Sequence, residues 1–192
     1  YASAIMDWWE YPVCDMGLSG PDKGKGGTYI IVGPGEDLKN YEGKADYAQY
    51  RTLMETVDTM PPGSIMWEAN SEMNKYGTPM ALMLFPYWSE GHPSMEGLFF
   101  ESSLTTPFHF LNASEVSERP SNPVRGLDYR GFNMERGVEH LAVYNVAYYV
   151  SYTEAGAEAA RAAGLAEVGT ALPWRIFALP PSSLVDVATS VP

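Results

Sequence analysis

The sequence contains very little cysteine and histidine, and this shortage excludes several kinds of site. Its 192 residues include a single cysteine, Cys14, and three histidines. One cysteine cannot form an intrachain disulfide bond or a multi-cysteine metal site. The histidines also lack the His-x-x-x-His spacing that is common in zinc sites. We therefore expect neither a bound metal nor another cofactor.

Basic residues are scarce as well. The chain has 12 Lys and Arg against 24 Asp and Glu, which gives a formal net charge of -12. Nucleic-acid binding needs clustered cations that displace counterions from phosphates, and this sequence has no basic run beyond Lys23 and Lys25. We therefore exclude nucleic acid as a partner. An anionic membrane surface would also repel a chain of this charge.

Long hydrophobic runs are the third shortage. No stretch approaches the roughly 18 apolar residues that a membrane-spanning helix needs, and no signal peptide is evident. The chain begins at Tyr1 rather than Met, so we expect it to be a piece of a longer protein or a mature or trimmed product. Hydrophobic residues make up 45% of the chain and charged residues 19%, which is typical of a folded domain.

The hydrophobic pattern predicts a mixed α/β fold, with a small mixed sheet covered by helices. We expect a glycine-rich, turn-rich N-terminal extension over residues 1–40 and a single domain over residues 41–192. Asn133 and Thr153 are expected to cap helices, and Gly164 is expected to end one. The predicted elements of the domain are a helix over 46–60, strands over 64–68, 146–150, 165–168 and 174–179, a strand or short helix over 80–85, and helices beginning after 133 and over 154–163.

Two glycine- or proline-rich regions could be functional. The loop over 20–27 has the composition of a phosphate-binding loop, but only three residues separate Gly20 from Gly24-Lys25, and a predicted strand over 28–32 follows. A turn between strands is therefore the favoured interpretation. The stretch over 86–123 lacks a clear period and is rich in aromatic residues, and such long irregular segments are usually functional or flexible.

Carboxylates and aromatic rings in the central region are the main candidates for chemistry. Glu96 and Glu101 stand among apolar neighbours, and paired carboxylates are what glycosidic cleavage requires, although solvated surface acids are the commoner outcome. Trp67 and Trp88 could stack on sugar rings while nearby carboxylates accept hydrogen bonds from hydroxyl groups. Plain core packing is the alternative for both tryptophans.

His109 and Asn112 lie in a second polar stretch. If this stretch is a strand, His109 and its aromatic neighbours face opposite sides, and a structural histidine is favoured over one that contacts substrate. Asn112-Ala113-Ser114 fits the N-glycosylation acceptor pattern, which also arises often by chance. The residues predicted to contact substrate are Trp67, Glu68, Trp88, Glu96, Glu101, His109 and Asn112, and Glu96 and Glu101 are also weak catalytic candidates.

Several motifs of the chain resemble those of a known protein class. They are Met66-Trp67-Glu68, Tyr76-Gly77-Thr78-Pro79-Met80, Pro86-Tyr87-Trp88, Met95-Glu96-Gly97, Phe100-Glu101-Ser102, Pro107-Phe108-His109-Phe110, Gly137-Val138-Glu139-His140-Leu141 and Trp174-Arg175-Ile176-Phe177. Over about 41–185, the chain resembles the extracytoplasmic soluble domain of bacterial multi-pass membrane proteins that are similar to GT-C-type glycosyltransferases. Residues 1–35, with Gly20-Pro21-Asp22-Lys23-Gly24-Lys25-Gly26-Gly27, resemble a fragment of an uncharacterised bacterial β-rich family.

The resemblance implies a location and a role. The domain would lie on the extracytoplasmic face of the bacterial cell membrane, with the membrane-embedded remainder of the parent protein as its partner. Transfer chemistry would lie in membrane-embedded loops outside this segment, so the segment itself would face a sugar or a polyprenyl-phosphate sugar without catalysing its transfer. Two other functions remain open: a free-standing glycoside hydrolase that uses Glu96 and Glu101, and an interaction module without a small ligand.

Overall fold

Two compact units make up the chain, residues 1–41 and residues 42–192. The structure, a computed structural model, describes residues 3–6, 12–16, 43–89, 91–95, 104 and 106–181. In the first unit, strands β1 (Ser3–Met6) and β2 (Pro12–Met16) pair in antiparallel fashion. The loop over 20–27 and the strand predicted over 28–32 lie outside the described residues.

The second unit is built around a four-stranded mixed sheet with strand order β3-β4-β6-β5. Strand β3 runs parallel to β4, and the other neighbouring pairs are antiparallel. The predicted mixed α/β fold is therefore confirmed. The elements are α1 (Gly43–Asp58), β3 (Ser64–Trp67), 3₁₀ helices over Ser71–Tyr76 and Ala81–Leu84, α2 (Phe85–Trp88), α3 (Thr106–Val116), α4 (Met134–Val143), β4 (Val146–Ser151), α5 (Glu154–Ala162), β5 (Ala166–Ala171) and β6 (Trp174–Ala178).

Both faces of this sheet are covered, which explains why its central strands are apolar on both sides. One cross-strand row consists of Met66, Tyr149 and Phe177, and these side chains pack with α3, α4 and α5. The adjacent row, which begins with Trp67, packs on the opposite face with α1 and the 3₁₀ helices. Alternate residues of a strand point to opposite faces, so two helical layers enclose the sheet.

Local capping chemistry fixes the ends of several helices as the sequence predicted. The Asn133 side chain accepts a hydrogen bond from the backbone N–H of Arg136 at 3.0 Å, and α4 follows it. The Thr153 hydroxyl accepts one from the Gly156 N–H at 3.0 Å, and α5 follows it. Gly164 has φ of 82°, a conformation that favours glycine at the end of a helix.

The central region is more helical than its sequence pattern indicates. The stretch over 86–123 contains most of α2 and all of α3, and within 80–85 the second 3₁₀ helix leads directly into α2. His109 therefore lies on a helix and not on a strand, and both it and Phe110 are buried. Helix α3 is buried on more than one side, so it lacks the single apolar stripe that identifies a surface helix. Within the described ranges, no helix combines the length and apolarity that crossing a bilayer requires.

Candidate functional site

A cavity of about 810 Å³, called here the larger cavity, lies beside the carboxyl end of β3. Strand β3 is at the edge of the sheet. Near its start, its outer side is covered, because the Met95 N–H donates to the Ile65 carbonyl at 3.1 Å. Past this bridge, the cavity lies between the end of β3, α3 and the segment over 119–124. Its volume is within the range of about 300–1,000 Å³ that is usual for small-molecule sites.

The larger cavity is mostly apolar, with few polar groups. Trp67 lines it from the end of β3, Met80 from the start of the second 3₁₀ helix, and Phe110 from α3. Trp67 is only 3% exposed, and its ring packs at a tilt against Phe85 with centroids 6.2 Å apart. Asn70 also lines the cavity, but its side chain is occupied in accepting a hydrogen bond from the Glu72 N–H. This lining favours a ligand with a large apolar part.

The rim of the larger cavity carries a cation. Arg119 lines it, with its side chain 74% exposed and 3.9 Å from the carboxylate of Glu72. An exposed ion pair of this length is weak, so the guanidinium can turn toward a ligand at small cost. Among the described lining residues, none is an aspartate or a glutamate. The larger cavity therefore has an apolar interior and, at its edge, an arginine that is weakly paired with Glu72.

A second cavity of about 320 Å³, called here the smaller cavity, lies on the outer side of α3 and α4. Its lining includes Asn112 and Glu115 from α3 and His140 from α4. Glu115 is 2% exposed, accepts a hydrogen bond from Arg136 Nε at 2.8 Å, and lies 2.6 Å from His140 Nδ1. Burial raises the pKa of Tyr144, which also lines this cavity, above its ordinary value of 10.

Glu68, a predicted substrate contact, is not among the described lining residues of either cavity, and it is 1% exposed. Its Oε2 accepts hydrogen bonds from the backbone N–H groups of Tyr152 and Thr153 at 2.8 and 2.9 Å and from the Ser151 hydroxyl at 3.1 Å. Its Oε1 accepts one from the Thr153 hydroxyl at 2.7 Å. Glu68 therefore clamps the end of β3 to the start of α5, and the protein's own donors occupy both of its oxygens.

Trp88 also lies away from both cavities. Its ring contacts Tyr87 edge to face, with centroids 5.0 Å apart, and it remains about half exposed. Burial raises the pKa of the neighbouring Tyr50, and a hydrogen bond from the Trp88 side chain opposes that shift. The Tyr50 hydroxyl donates in turn to the Ala81 carbonyl at 2.8 Å. The structure therefore does not bring Trp88 together with Trp67 and His109 in one cavity.

One chain of polar side chains, Asp58, Ser89 and His92, has the residue types of a hydrolase triad but not their order. Ser89 Oγ lies 2.8 Å from His92 Nδ1 and 3.3 Å from Asp58 Oδ1. In a catalytic triad the histidine stands between the acid and the nucleophile, whereas here the serine does. Ser89 is fully buried, and His92 Nε2 is 3.1 Å from the carbonyl of Pro61. This cluster therefore joins α1 to the segment after α2 as a structural element.

Glu96 and Glu101 lie outside the described residues, so their predicted pairing stays a prediction. Of the other predicted contacts, Trp67 and His109 line the larger cavity, and Asn112 lines the smaller one. In the part of the chain that the structure describes, no group of three or more His, Cys, Asp or Glu side chains could hold a metal ion.

Comparison with protein-family models, curated proteins and solved structures gives no match to this chain. The interpretation of the two cavities therefore depends on their own chemistry.

Sequence reasoning did not identify several residues that line the cavities. Arg119 is one of few cations in an acidic chain and is followed by a proline-rich segment, a signal that could have indicated it. Glu115 and His140 are 25 positions apart, and no local spacing relates them. Only the packing of α3 against α4 brings these two side chains together.

Proposed function

We propose that this chain is the non-catalytic, extracytoplasmic domain of a bacterial GT-C-like membrane glycosyltransferase, and that its larger cavity binds part of a lipid-linked sugar. The observation that carries the proposal is the combination of an apolar cavity of about 810 Å³ with Arg119 at its rim. A polyprenyl-phosphate sugar has an apolar chain, an anionic phosphate and a polar sugar. The apolar chain matches the interior of the cavity, and the phosphate matches Arg119 at its edge.

The apolar lining supports a lipid-linked ligand over a free sugar. Met80, Pro123 and Val124 line the cavity without being fully buried, so a hydrocarbon chain can cover part of their surface, at about 25 cal/mol for each Å² removed from water. Methionine is unbranched and adapts to irregular apolar ligands. A free sugar would leave much of this surface unmatched.

Arg119 supports the phosphate part of the proposal. Guanidinium groups bind phosphate in bidentate, charge-assisted geometry. At the rim, Arg119 can contact an anion while the rest of the ligand enters the cavity. No carboxylate is among the described lining residues, and the Glu72 carboxylate, 3.9 Å from the Arg119 guanidinium, is the group that a phosphate would have to replace there.

The lining also supports a binding role over hydrolysis. Acid–base cleavage of a glycosidic bond requires carboxyl groups on both sides of that bond. The hydrolase alternative depends on Glu96 and Glu101, and it stays a prediction because both lie outside the described residues.

Binding is tested with the tryptophan emission of the full chain, titrated with a short-chain polyprenyl-phosphate sugar, the corresponding polyprenyl phosphate and the sugar alone. We expect both lipid phosphates to change the emission, and we expect Trp67→Phe to remove that change. Arg119→Ala should weaken binding about fivefold, equivalent to about 1 kcal/mol. Arg125→Ala is the matched control, because Arg125 is an exposed arginine that does not appear among the lining residues of either cavity.

Two results would overturn this assignment. Emission that stays constant with all three ligands would favour an interaction module without a small ligand. If Arg119→Ala and Arg125→Ala weaken ligand binding equally, the contribution of Arg119 is general charge attraction and not a specific contact.

The proposed membrane location has a separate test. The parent reading frame should encode apolar spans of about 18 residues or more. A complete parent sequence without such spans would contradict the location and the membrane-embedded partner, whatever the binding assay shows.

A further inference from the structure

We propose that the smaller cavity is a second, independent site that binds one neutral sugar ring. This inference goes beyond the proposed function, because it concerns different residues and does not require a lipid phosphate. The cavity of about 320 Å³ would hold about ten water molecules at about 30 Å³ each, which is the scale of a single monosaccharide.

Asn112 is the first observation that points to a ligand. Its side chain is 2% exposed and lines the smaller cavity, and among the described residues its Nδ2 has no hydrogen-bond partner. Leaving a buried amide donor without a partner costs about 1–3 kcal/mol. Nδ2 itself has almost no solvent-accessible surface, so a ligand oxygen in the cavity would satisfy this donor once the amide turns toward it.

Glu115 and His140 add an oriented group beside Asn112. Glu115 Oε2 fixes the imidazole through Nδ1 at 2.6 Å, so Nε2 points away from the carboxylate. His140 is partly exposed and lines the cavity, so a ligand can reach this ring. Arg136 holds the other oxygen of Glu115 and also donates to the Gly131 carbonyl at 3.1 Å, which ties the rim of the cavity to α4.

The apolar part of the cavity suits the C–H face of a sugar. The rings of Phe108 and Tyr144 are 6.2 Å apart and partly exposed, and both line the cavity with Leu111. Aromatic side chains with one wet face pack against pyranose C–H groups while polar neighbours bind the hydroxyls.

The charges at the rim favour a neutral ligand over an anion. Asp128 and Arg130 both line the cavity and carry opposite charges, and the buried Glu115 adds a second negative group. A hydroxylated ring can donate to Asp128 and accept from Arg130 and Asn112. Arg130 and Arg136, which binds Glu115, balance the charges of Asp128 and Glu115, so the site has little net charge to attract an anion such as phosphate.

The test follows the side-chain amide signals of Asn112 in ¹⁵N-labelled full chain. Their assignment is given by the pair of signals that Asn112→Asp removes. We expect the pair to shift on titration with a monosaccharide from a panel of glucose, mannose and N-acetylglucosamine, and not with inorganic phosphate or glycerol.

Variants separate this site from the larger cavity. Asp128→Asn, at an exposed position where folding is not at risk, should weaken sugar binding about tenfold. Arg119→Ala should leave sugar binding unchanged, because Arg119 lines only the larger cavity. No shift with any sugar, an equal shift with phosphate, or unaltered affinity in Asp128→Asn would each overturn the proposal. Failure of lipid-phosphate binding would not affect it.

Discussion

Gly156 in α5 provides a test of the structural role of Glu68, because the structure reverses the usual effect of a substitution. Replacing a helical glycine by alanine normally stabilises a protein by about 1 kcal/mol. Here a Cβ on Gly156 would lie 2.5 Å from Glu68 Oε2 and 2.9 Å from Ser151 Oγ. Both distances are well below the optimum contact distance of about 3.5 Å or more.

The Glu68 carboxylate cannot move away from the new methyl group without a loss of stability. Moving it breaks hydrogen bonds from the Tyr152 and Thr153 N–H groups, and bonds to charged groups contribute about 1.5–3 kcal/mol each. Overpacking of a core costs about 1–3 kcal/mol. After subtraction of the helix-propensity gain of about 1 kcal/mol from the overpacking cost, we expect Gly156→Ala to lower the free energy of unfolding by up to about 2 kcal/mol.

Urea unfolding of the full chain measures this change, with Glu158→Ala as the control at an exposed position of the same helix. The control should change stability by less than about 0.5 kcal/mol. In a Glu68→Ala background the clash with the carboxylate is gone, so the cost of Gly156→Ala should fall by at least about 1 kcal/mol. If Gly156→Ala stabilises the chain with Glu68 present, the carboxylate does not occupy this position and the argument fails.

Two further predictions concern buried and exposed polar groups. Tyr149→Phe should destabilise the fold by about 1–2 kcal/mol in urea unfolding, because the Val116 carbonyl loses a donor at 2.7 Å inside the core; an unchanged midpoint would contradict this. Hydrogen bonds from Arg161 lower the pKa of Glu154 and Glu167 below the ordinary value of 4.5. Their contribution to stability is therefore present above about pH 4.5 and is lost as the pH falls through the lowered pKa values. Urea midpoints measured from pH 7 to pH 3 should fall more steeply for the native chain than for the double variant Glu154→Gln with Glu167→Gln, and parallel curves would refute the pairing.

The candidate site was only partly predictable. Trp67, His109 and Asn112 were singled out by residue type and line the two cavities. Glu68 was singled out on the same grounds, but its four hydrogen bonds come from residues more than 80 positions away. A sequence pattern cannot distinguish a carboxylate that is available to bind a ligand from one whose oxygens already accept hydrogen bonds within the protein.

The sequence by itself determined the elements whose signals are local. Helix caps at Asn133 and Thr153, the apolar face of α1 and the strands of the last third depend on neighbouring side chains and on short-range periodicity. These signals are readable in the sequence because a surface helix or a buried strand gives the pattern of apolar residues one characteristic period.

Only the tertiary structure decided the rest. Helix α3 is buried on several sides and so has no stripe, and the pairing of Glu115 with His140 requires α3 to pack against α4. Among the described residues, the larger cavity lies beside the end of β3, past the point where the segment over 93–95 covers the start of the strand. Each of these features depends on contacts between residues far apart in the chain, and hydrophobic burial rather than local conformational preference selects such contacts.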